Sequence, residues 1–395
     1  MAGALSGVTV IDLTRVLSGP YCTMVLADHG ARVIKIEHPV RGDDTRHWGP
    51  PFIASESAYF LSINRNKESV TLDFKQPDGH EILERLLAMA DVVVENFRPG
   101  TLDAIGLGGT DVLGRHPRIV YCSISGYGQT GPRREEPGYD AVMQAEGGLM
   151  SITGDADGPP YRLGVAITDI VSGLFAAQGV MAALFARNRT GRGQIVDIGM
   201  LDSTAALLTY QAGNYFATGH APARLGNRHP TIAPYESVHA ADGEFVIAGG
   251  NDSIWRRLCQ VIGRPELADD PRFRTNSDRM THYSELRVAL EEALKTKTRS
   301  EWVRELTANG VPCGSVREIS EVLADPQLAA RGMIAEVQHS TIGTARVINS
   351  PVKLSDTPPS VRTAPPTLGQ HTAVVLGELG YDRGEIEALK ASRVI

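Results

Sequence analysis

Asp169 stands in GVAITDIVSG, one residue after Thr168 and directly ahead of an apolar run. By spacing alone this is a helix start, with Asp169 or Thr168 offering a side-chain oxygen to the first free N–H groups. A second group of chemically capable residues is cationic. Lys35, Arg41, Arg46, Arg65, Lys67, Lys75 and Arg98 fall at or just beyond the ends of β-like segments. Open α/β sheets bind ligands at such ends, and cations there can receive phosphates. The ordinary alternative for each is a solvated surface charge. A third candidate, Gly126-Tyr127-Gly128-Gln129-Thr130-Gly131, matches GxGxxG in form and follows a strand. The chain then runs Pro132-Arg133-Arg134-Glu135-Glu136-Pro137, a loop, where a dinucleotide site needs a helix N-terminus. Nicotinamide and flavin binding are therefore set aside. No Walker A motif, GxSxG elbow or HExxH helix occurs. Cys22, Cys122, Cys259 and Cys313 form no CxxC pair, and no histidines cluster at metal-ligand spacing, so a reduced, cytoplasmic, metal-free protein is expected.

The elements that must position these residues are legible as pattern. VTVIDL, RVIKIE, SVTLDF, DVVVENF and IVYCSIS alternate with Ala/Leu-rich helical segments, the signature of a parallel sheet covered on both faces. A helix from about Asp169 to Arg187 ends at a Gly-rich turn, followed by IVDIGM and a further helix. From these patterns we expect a large α/β domain over 1–215, a linker over 216–229 and a smaller α+β domain over 230–325. An extended, Pro-rich return over 326–366 and a helical tail over 367–395, packing back on the large domain, complete the chain.

Charge and composition exclude other classes. The 39 Lys+Arg are outnumbered by 46 Asp+Glu and scattered, leaving a net charge of −7 and no electrostatic footprint for nucleic acid or an anionic bilayer. The first residues lack a basic n-region and meet Asp12 early, so no leader is expected. The apolar stretch from Val171 to Ala186 falls short of the ~20 residues needed to cross hydrocarbon and reads as a buried helix.

Taken together, IDLTRVLSGPYCTMVLADHGARVIKIEHP, GDDTRHWGPPF, YFLSINRNKESVTLDF, ADVVVENFRPGTLDAIGL, YCSISGYGQTGP and GVAITDIVSGLFAAQGVMAAL resemble the class III, formyl-CoA transferase-like (CaiB/BaiF) coenzyme A transferases. The likeness continues through GNDSIWRRLC, DPRF, GVPCG, PPTLGQHT and LGY, covering nearly the whole chain. GDDTRHWGPPF, NYF and IAPY most resemble the branch that moves CoA from succinyl-CoA to dicarboxylic acids such as glutarate.

The resemblance implies a Rossmann-like large domain, an interlocked homodimer, no tightly bound cofactor and a nucleophilic carboxylate at Asp169. A carboxylate suits that chemistry, because its attack on a thioester gives a mixed anhydride in which the acyl group stays activated. A helix cap and a nucleophile are competing roles, since donors that satisfy the anion also make it less basic. The resemblance carries CoA contacts onto Leu17, Ser18, His38, Leu72, Asp73, Phe74, Lys75, Asn96, Phe97, Arg98 and Tyr139. His38 and Ala104 stand where family members often have arginine, with Arg41 and Arg98 as candidates to compensate. For the distal carboxylate of a diacid, a bidentate arginine is favoured, and Arg46 and Arg65 are candidates. Their alternative is ion pairing with Asp43, Asp44 or Glu68. Gly249, Gly250 and Asn251 match a small-domain loop that the family brings to the substrate, their alternative being a glycine turn after a strand. Two other activities compete with transfer. An acyl-CoA racemase would need a histidine beside Pro137-Gly138-Tyr139-Asp140, which has none. A non-catalytic acyl-CoA binder would keep the fold alone.

Overall fold

The computed structural model describes residues 2–395, which divide into two compact units, 2–149 with Arg162–Ala217 and Pro326–Ile395, and Met150–Tyr161 with Thr218–Asp325. The first unit is built on six parallel strands, β1 (Thr9–Asp12), β2 (Arg32–Glu37), β3 (Lys67–Thr71), β4 (Val92–Glu95), β5 (Val120–Ser125) and β6 (Ile195–Gly199). They lie in the order β3-β2-β1-β4-β5-β6, with every neighbouring pair parallel. This is the doubly wound order of dinucleotide-binding sheets, whose strand order reverses between β1 and β4.

Successive side chains point to opposite faces, so each apolar run feeds two cores. Ile11, Ile34, Val70 and Val93 face one layer, where Ile82, Leu83, Leu86 and Leu87 of helix α3 (Pro77–Ala88) cover them. Val10, Val33, Val92, Val94 and Val120 face the other, covered by α1 (Ser18–Asp28) and the long helix α5 (Ile167–Thr190). Two further helices of this unit matter below, α2 (Ala58–Ile63) and α4 (Asp140–Glu146). The helix α5 stops at Gly191, whose φ of 70° is the left-handed conformation that glycine adopts without strain. At 24 residues α5 is longer than the sequence reading allowed, and by length and composition it could cross a bilayer. One side of it nevertheless packs on the sheet through Ala176, Ala177, Val180 and Ala183.

Three boundaries differ from expectation. The chain leaves the first unit after Ala217, and Met150–Tyr161 already belongs to the second. Gly226 N–H bonds to Gly154 O, and Arg224 donates to the carbonyls of Asp155 and Gly158, contacts between distant residues that no local pattern announces. The return segment is not simply extended, since Ile334–His339 and Gly343–Ile348 form an antiparallel hairpin. The tail adds Val375, Leu376, Ile386, Val394 and Ile395 to the sheet core, and His371 and Thr372 bond along the outer edge of β3. The second unit has its own three-stranded antiparallel sheet, Tyr235–Ala240, Gly243–Ala248 and Cys313–Ser315, packed by helices around Trp255, Trp302, Phe245 and Phe273.

Candidate active site

Asp169 lies in the first turn of α5, about 8% exposed. It does not cap that helix. The cap position is Ala166, which has no capping side chain, and the free N–H of Thr168 is bonded by the Asp140 carboxylate of α4 at 2.9 Å. Asp140 also accepts from the Thr168 hydroxyl at 2.8 Å and from the Gln144 amide at 2.7 Å. Gln144 in turn accepts from Leu163 N–H at 2.8 Å, so one carboxylate and one amide fix the approach to α5. Among the described residues no donor is bonded to the Asp169 carboxyl itself. Burial, and then the neighbouring charge of Asp140, push its pKa up to about 7. A helix N-terminus favours an anion, but without directed donors desolvation wins.

The surroundings of Asp169 are apolar and closely packed. Leu17, Met24 and Ile63 form a small cluster with Val16, Tyr21, Tyr59, Ala166 and Ile170. A Cβ added at Gly173 would lie 2.5 Å from Ser18 O, so only glycine lets α5 approach the start of α1 this closely. Burial, followed by the carboxylates of Asp169, Asp140 and Asp43, pushes the Tyr59 phenol up to about 12, leaving it a neutral O–H donor. The sequence names Asp140 only as part of the segment weighed for a racemase and gives Tyr59 no role. Asp140 follows directly on Tyr139 and could have been weighed with it, whereas nothing in the local pattern marks Tyr59.

Outside the carboxyl ends of β1 to β4, at the reversal point of the sheet, opens a cleft of about 710 Å³. Its lining brings together His38, Arg41, Leu72, Asp73, Phe74, Lys75, Phe97 and Arg98. Phe74 and Phe97 meet edge to face at 6.3 Å, giving an apolar wall among cationic side chains. The His38 ring is turned back into its own loop, with Nδ1 accepting from Val40 N–H at 3.1 Å and Arg41 N–H at 3.3 Å. Ala104 sits on a 3₁₀ turn whose neighbours Leu102 and Ile105 line the cleft. The remaining expected contacts have other positions. Leu17 and Ser18 are buried at the start of α1, Tyr139 is 64% exposed ahead of α4, and the Asn96 amide brackets Arg15, accepting from its N–H at 2.9 Å and donating to its O at 2.7 Å.

Several cations are committed elsewhere. Arg46 is a buried bidentate partner of Glu37, both bonds 2.7 Å, and stacks 3.6 Å over Phe60. Arg65 binds Asp28 through bonds of 3.0 and 2.6 Å. Neither uses Asp43, Asp44 or Glu68, and the bidentate edge each would offer a diacid is already filled. Lys35 and Lys67 are wholly buried, paired with Asp43 at 2.9 Å and Asp12 at 3.1 Å, because the sheet face they point from is covered by α1 and its flanking loop. All four are held in ion pairs, Lys35 within the cleft lining itself, and Arg41, Lys75 and Arg98 line the cleft outside such pairs, Arg98 also donating to Glu135 O at 2.7 Å.

In the second unit, Gly249 and Gly250 follow the strand Gly243–Ala248, and the Asn251 side chain caps the next helix by accepting from Ile254 N–H at 2.9 Å. A Cβ at Gly249 would lie 3.0 Å from Pro234, so packing accounts for that glycine, while Gly250 faces open space. The glycines at 126–131 follow β5 as a loop, with the next helix beginning only at Asp140, and Gly126 permits close approach to the backbone of Gly138.

Comparison with known proteins agrees with the resemblance. A family model described as CoA-transferase family III matches residues 5–372. The chain is 44% identical over 392 residues to succinyl-CoA:glutarate CoA-transferase of Mus musculus, covering 99% of this chain and 90% of that protein. It is 43% identical to succinate–glutarate CoA-transferase of Agrobacterium fabrum, covering 95% of each. A crystal structure of a CaiB/BaiF family protein from Brucella suis superposes with a TM-score of 0.85 at 42% identity, covering 96% of this chain and all of that one.

Proposed function

The chain belongs to CoA-transferase family III, and from that premise we propose that it moves CoA from succinyl-CoA to a short dicarboxylic acid of the glutarate class through intermediates on Asp169. The observation that carries this reading is the state of that carboxyl: buried, without a bonded donor, and titrating near 7. Such a carboxylate is more basic than an exposed aspartate and therefore a better nucleophile.

In the proposed sequence an Asp169 oxygen attacks the thioester carbonyl and CoA leaves as thiolate, giving an aspartyl–acyl anhydride. The thiolate then attacks the aspartyl carbonyl, releasing the first acid as carboxylate and leaving an aspartyl-CoA thioester. An incoming carboxylate attacks that thioester to form a second anhydride, expelling CoA thiolate. Return of the thiolate to the new acyl carbonyl releases the product thioester and restores Asp169. Every intermediate is open to hydrolysis, which the apolar cluster of Leu17, Met24, Ile63 and Ile170 opposes by excluding water.

The cleft supports CoA binding at its phosphate-bearing end. Arg41, Lys75 and Arg98 supply positive charge, and Phe74 and Phe97 supply aromatic surface for a base. Arg41 and Arg98 both line it, which supports their standing in for the arginines absent at positions 38 and 104. A homodimer is part of the same proposal, supported by Leu174, Phe175 and Phe185, apolar residues of α5 that this chain leaves exposed. A cytoplasmic location is supported by four free cysteines, three of them buried. The test is a matrix of CoA donors against mono- and dicarboxylic acceptors with product mass detection. Succinyl-CoA with a C4–C6 diacid should dominate, whereas preference for formate, oxalate or monocarboxylates would overturn the substrate assignment.

A further inference from the structure

Among the described residues only a few non-glycine residues have positive φ, and Val16, at 69°, places a β-branched side chain squarely in the left-handed region. Such a side chain crowds the backbone there, so the conformation persists only when its surroundings impose it. Here they do so group by group. Lys35 Nζ donates to Thr14 O at 2.8 Å, the Asn96 amide brackets both backbone groups of Arg15, and Asp43 Oδ1 accepts from Val16 N–H at 3.2 Å. Three side chains from β2, from just past β4 and from the loop after β2 thus hold three consecutive residues between β1 and α1. Asp43 is 1% exposed, accepts from Thr45 N–H and its hydroxyl, pairs with Lys35 at 2.9 Å, and has its own N–H held by Glu37 at 2.9 Å.

The clamped loop leads directly into the reacting region. Val16 and Leu17 pack in the same cluster as Ala166 and Ile170, which flank Asp169, and Ser18 O abuts Gly173 one turn further along α5. We infer that Asp43 is a positioning residue for acyl transfer, acting by holding Val16 left-handed so that Leu17 and Ser18 are fixed against the Asp169 end of α5. The inference rests on the transferase reading above. Asp43 lies in the lining of the cleft beside Lys35 and makes no bond to Asp169. Its effect passes through one strained backbone residue, and a glycine at position 16 would adopt the same conformation without help.

That dependence gives a test by double-mutant cycle. Asp43→Ala is made together with Lys35→Met, so that no lone buried charge is left, and this pair is combined with Val16→Gly. The rate of adduct formation on Asp169 from succinyl-CoA should fall about tenfold or more for the Asp43/Lys35 pair when Val16 is present. In the Val16→Gly background, the same pair should cost less than about threefold. A crystal structure of the Asp43→Ala/Lys35→Met protein should show Val16 relaxed to negative φ. Equal losses in both backgrounds, no loss in either, or Val16 still left-handed without Asp43 would overturn the inference. If the unsubstituted protein forms no adduct, the transferase reading fails, and the backbone of Val16 in that crystal structure still decides whether Asp43, together with the Lys35 it pairs, holds the loop.

Discussion

Replacing Asp169 with asparagine should stabilise the protein at alkaline pH while removing its activity. The carboxyl titrates near 7 in the folded chain against an ordinary 3.8. Folding therefore raises its proton affinity, and the associated stability is full below pH 3.8 and lost progressively as pH rises through 7. A separation of about three pH units, at about 1.36 kcal/mol each, amounts to about 4 kcal/mol that the ionised group costs above pH 7. Asparagine escapes the charge penalty but leaves a buried amide without partners, a cost of about 1–3 kcal/mol at every pH. The two opposing terms make the sign depend on pH. The variant should be the less stable protein at pH 4–5 and should overtake the parent by pH 8–9. Urea midpoints measured on both proteins across that range give the difference directly, and titrations elsewhere cancel in the comparison. A stability difference that stays constant from pH 4 to pH 9 would show that Asp169 does not titrate in the folded chain as described, and the reasoning would be refuted.

Three further outcomes are expected. Adduct formation on Asp169 should rise with pH through an apparent pKa of about 7, because only the ionised carboxylate attacks, and a rapid-quench pH profile flat from 5 to 8 would contradict this. Asp140→Ala should move that acid limb to lower pH by removing a like charge, and should cost about 1 kcal/mol of stability by freeing Thr168 N–H, both read from the same profile and a melting curve. Arg46→Ala should destabilise the first unit by about 3–5 kcal/mol, since Glu37 is left buried without its partner. An acceptor KM raised at unchanged stability would instead restore Arg46 as a diacid-binding residue.

Much of the architecture could be read before any coordinates, because buried parallel strands are written as continuous apolar runs. VTVIDL, RVIKIE and DVVVENF each hold a strand that feeds two cores from alternate residues, and that pattern is local. Met150–Tyr161 was misplaced because it joins the second unit through bonds to residues 224–226, which no window around it contains. At the site, the sequence pointed to Asp169 but offered a cap as its ordinary role. The role of cap partner to Thr168 fell to Asp140, 28 residues upstream, a pairing that only folding reveals. Four of the seven strand-end cations are ion pairs, the alternative held open for Arg46 and Arg65, though with partners other than Asp43, Asp44 or Glu68 for those two. Arg46 and Arg65 look like ligand arginines until Glu37 and Asp28 close on them, and Lys35 and Lys67 look solvated until α1 and its loop cover them. A charge is legible in sequence, but its partner across the sheet is not.

The most direct measurement is intact-protein and peptide mass analysis after incubation with succinyl-CoA. The account requires a hydroxylamine-sensitive acyl or CoA adduct on the peptide bearing Asp169, absent from Asp169→Ala together with all transferase turnover. Full turnover in Asp169→Ala, or CoA transfer by the unsubstituted protein with no adduct on that peptide at any time, would contradict it.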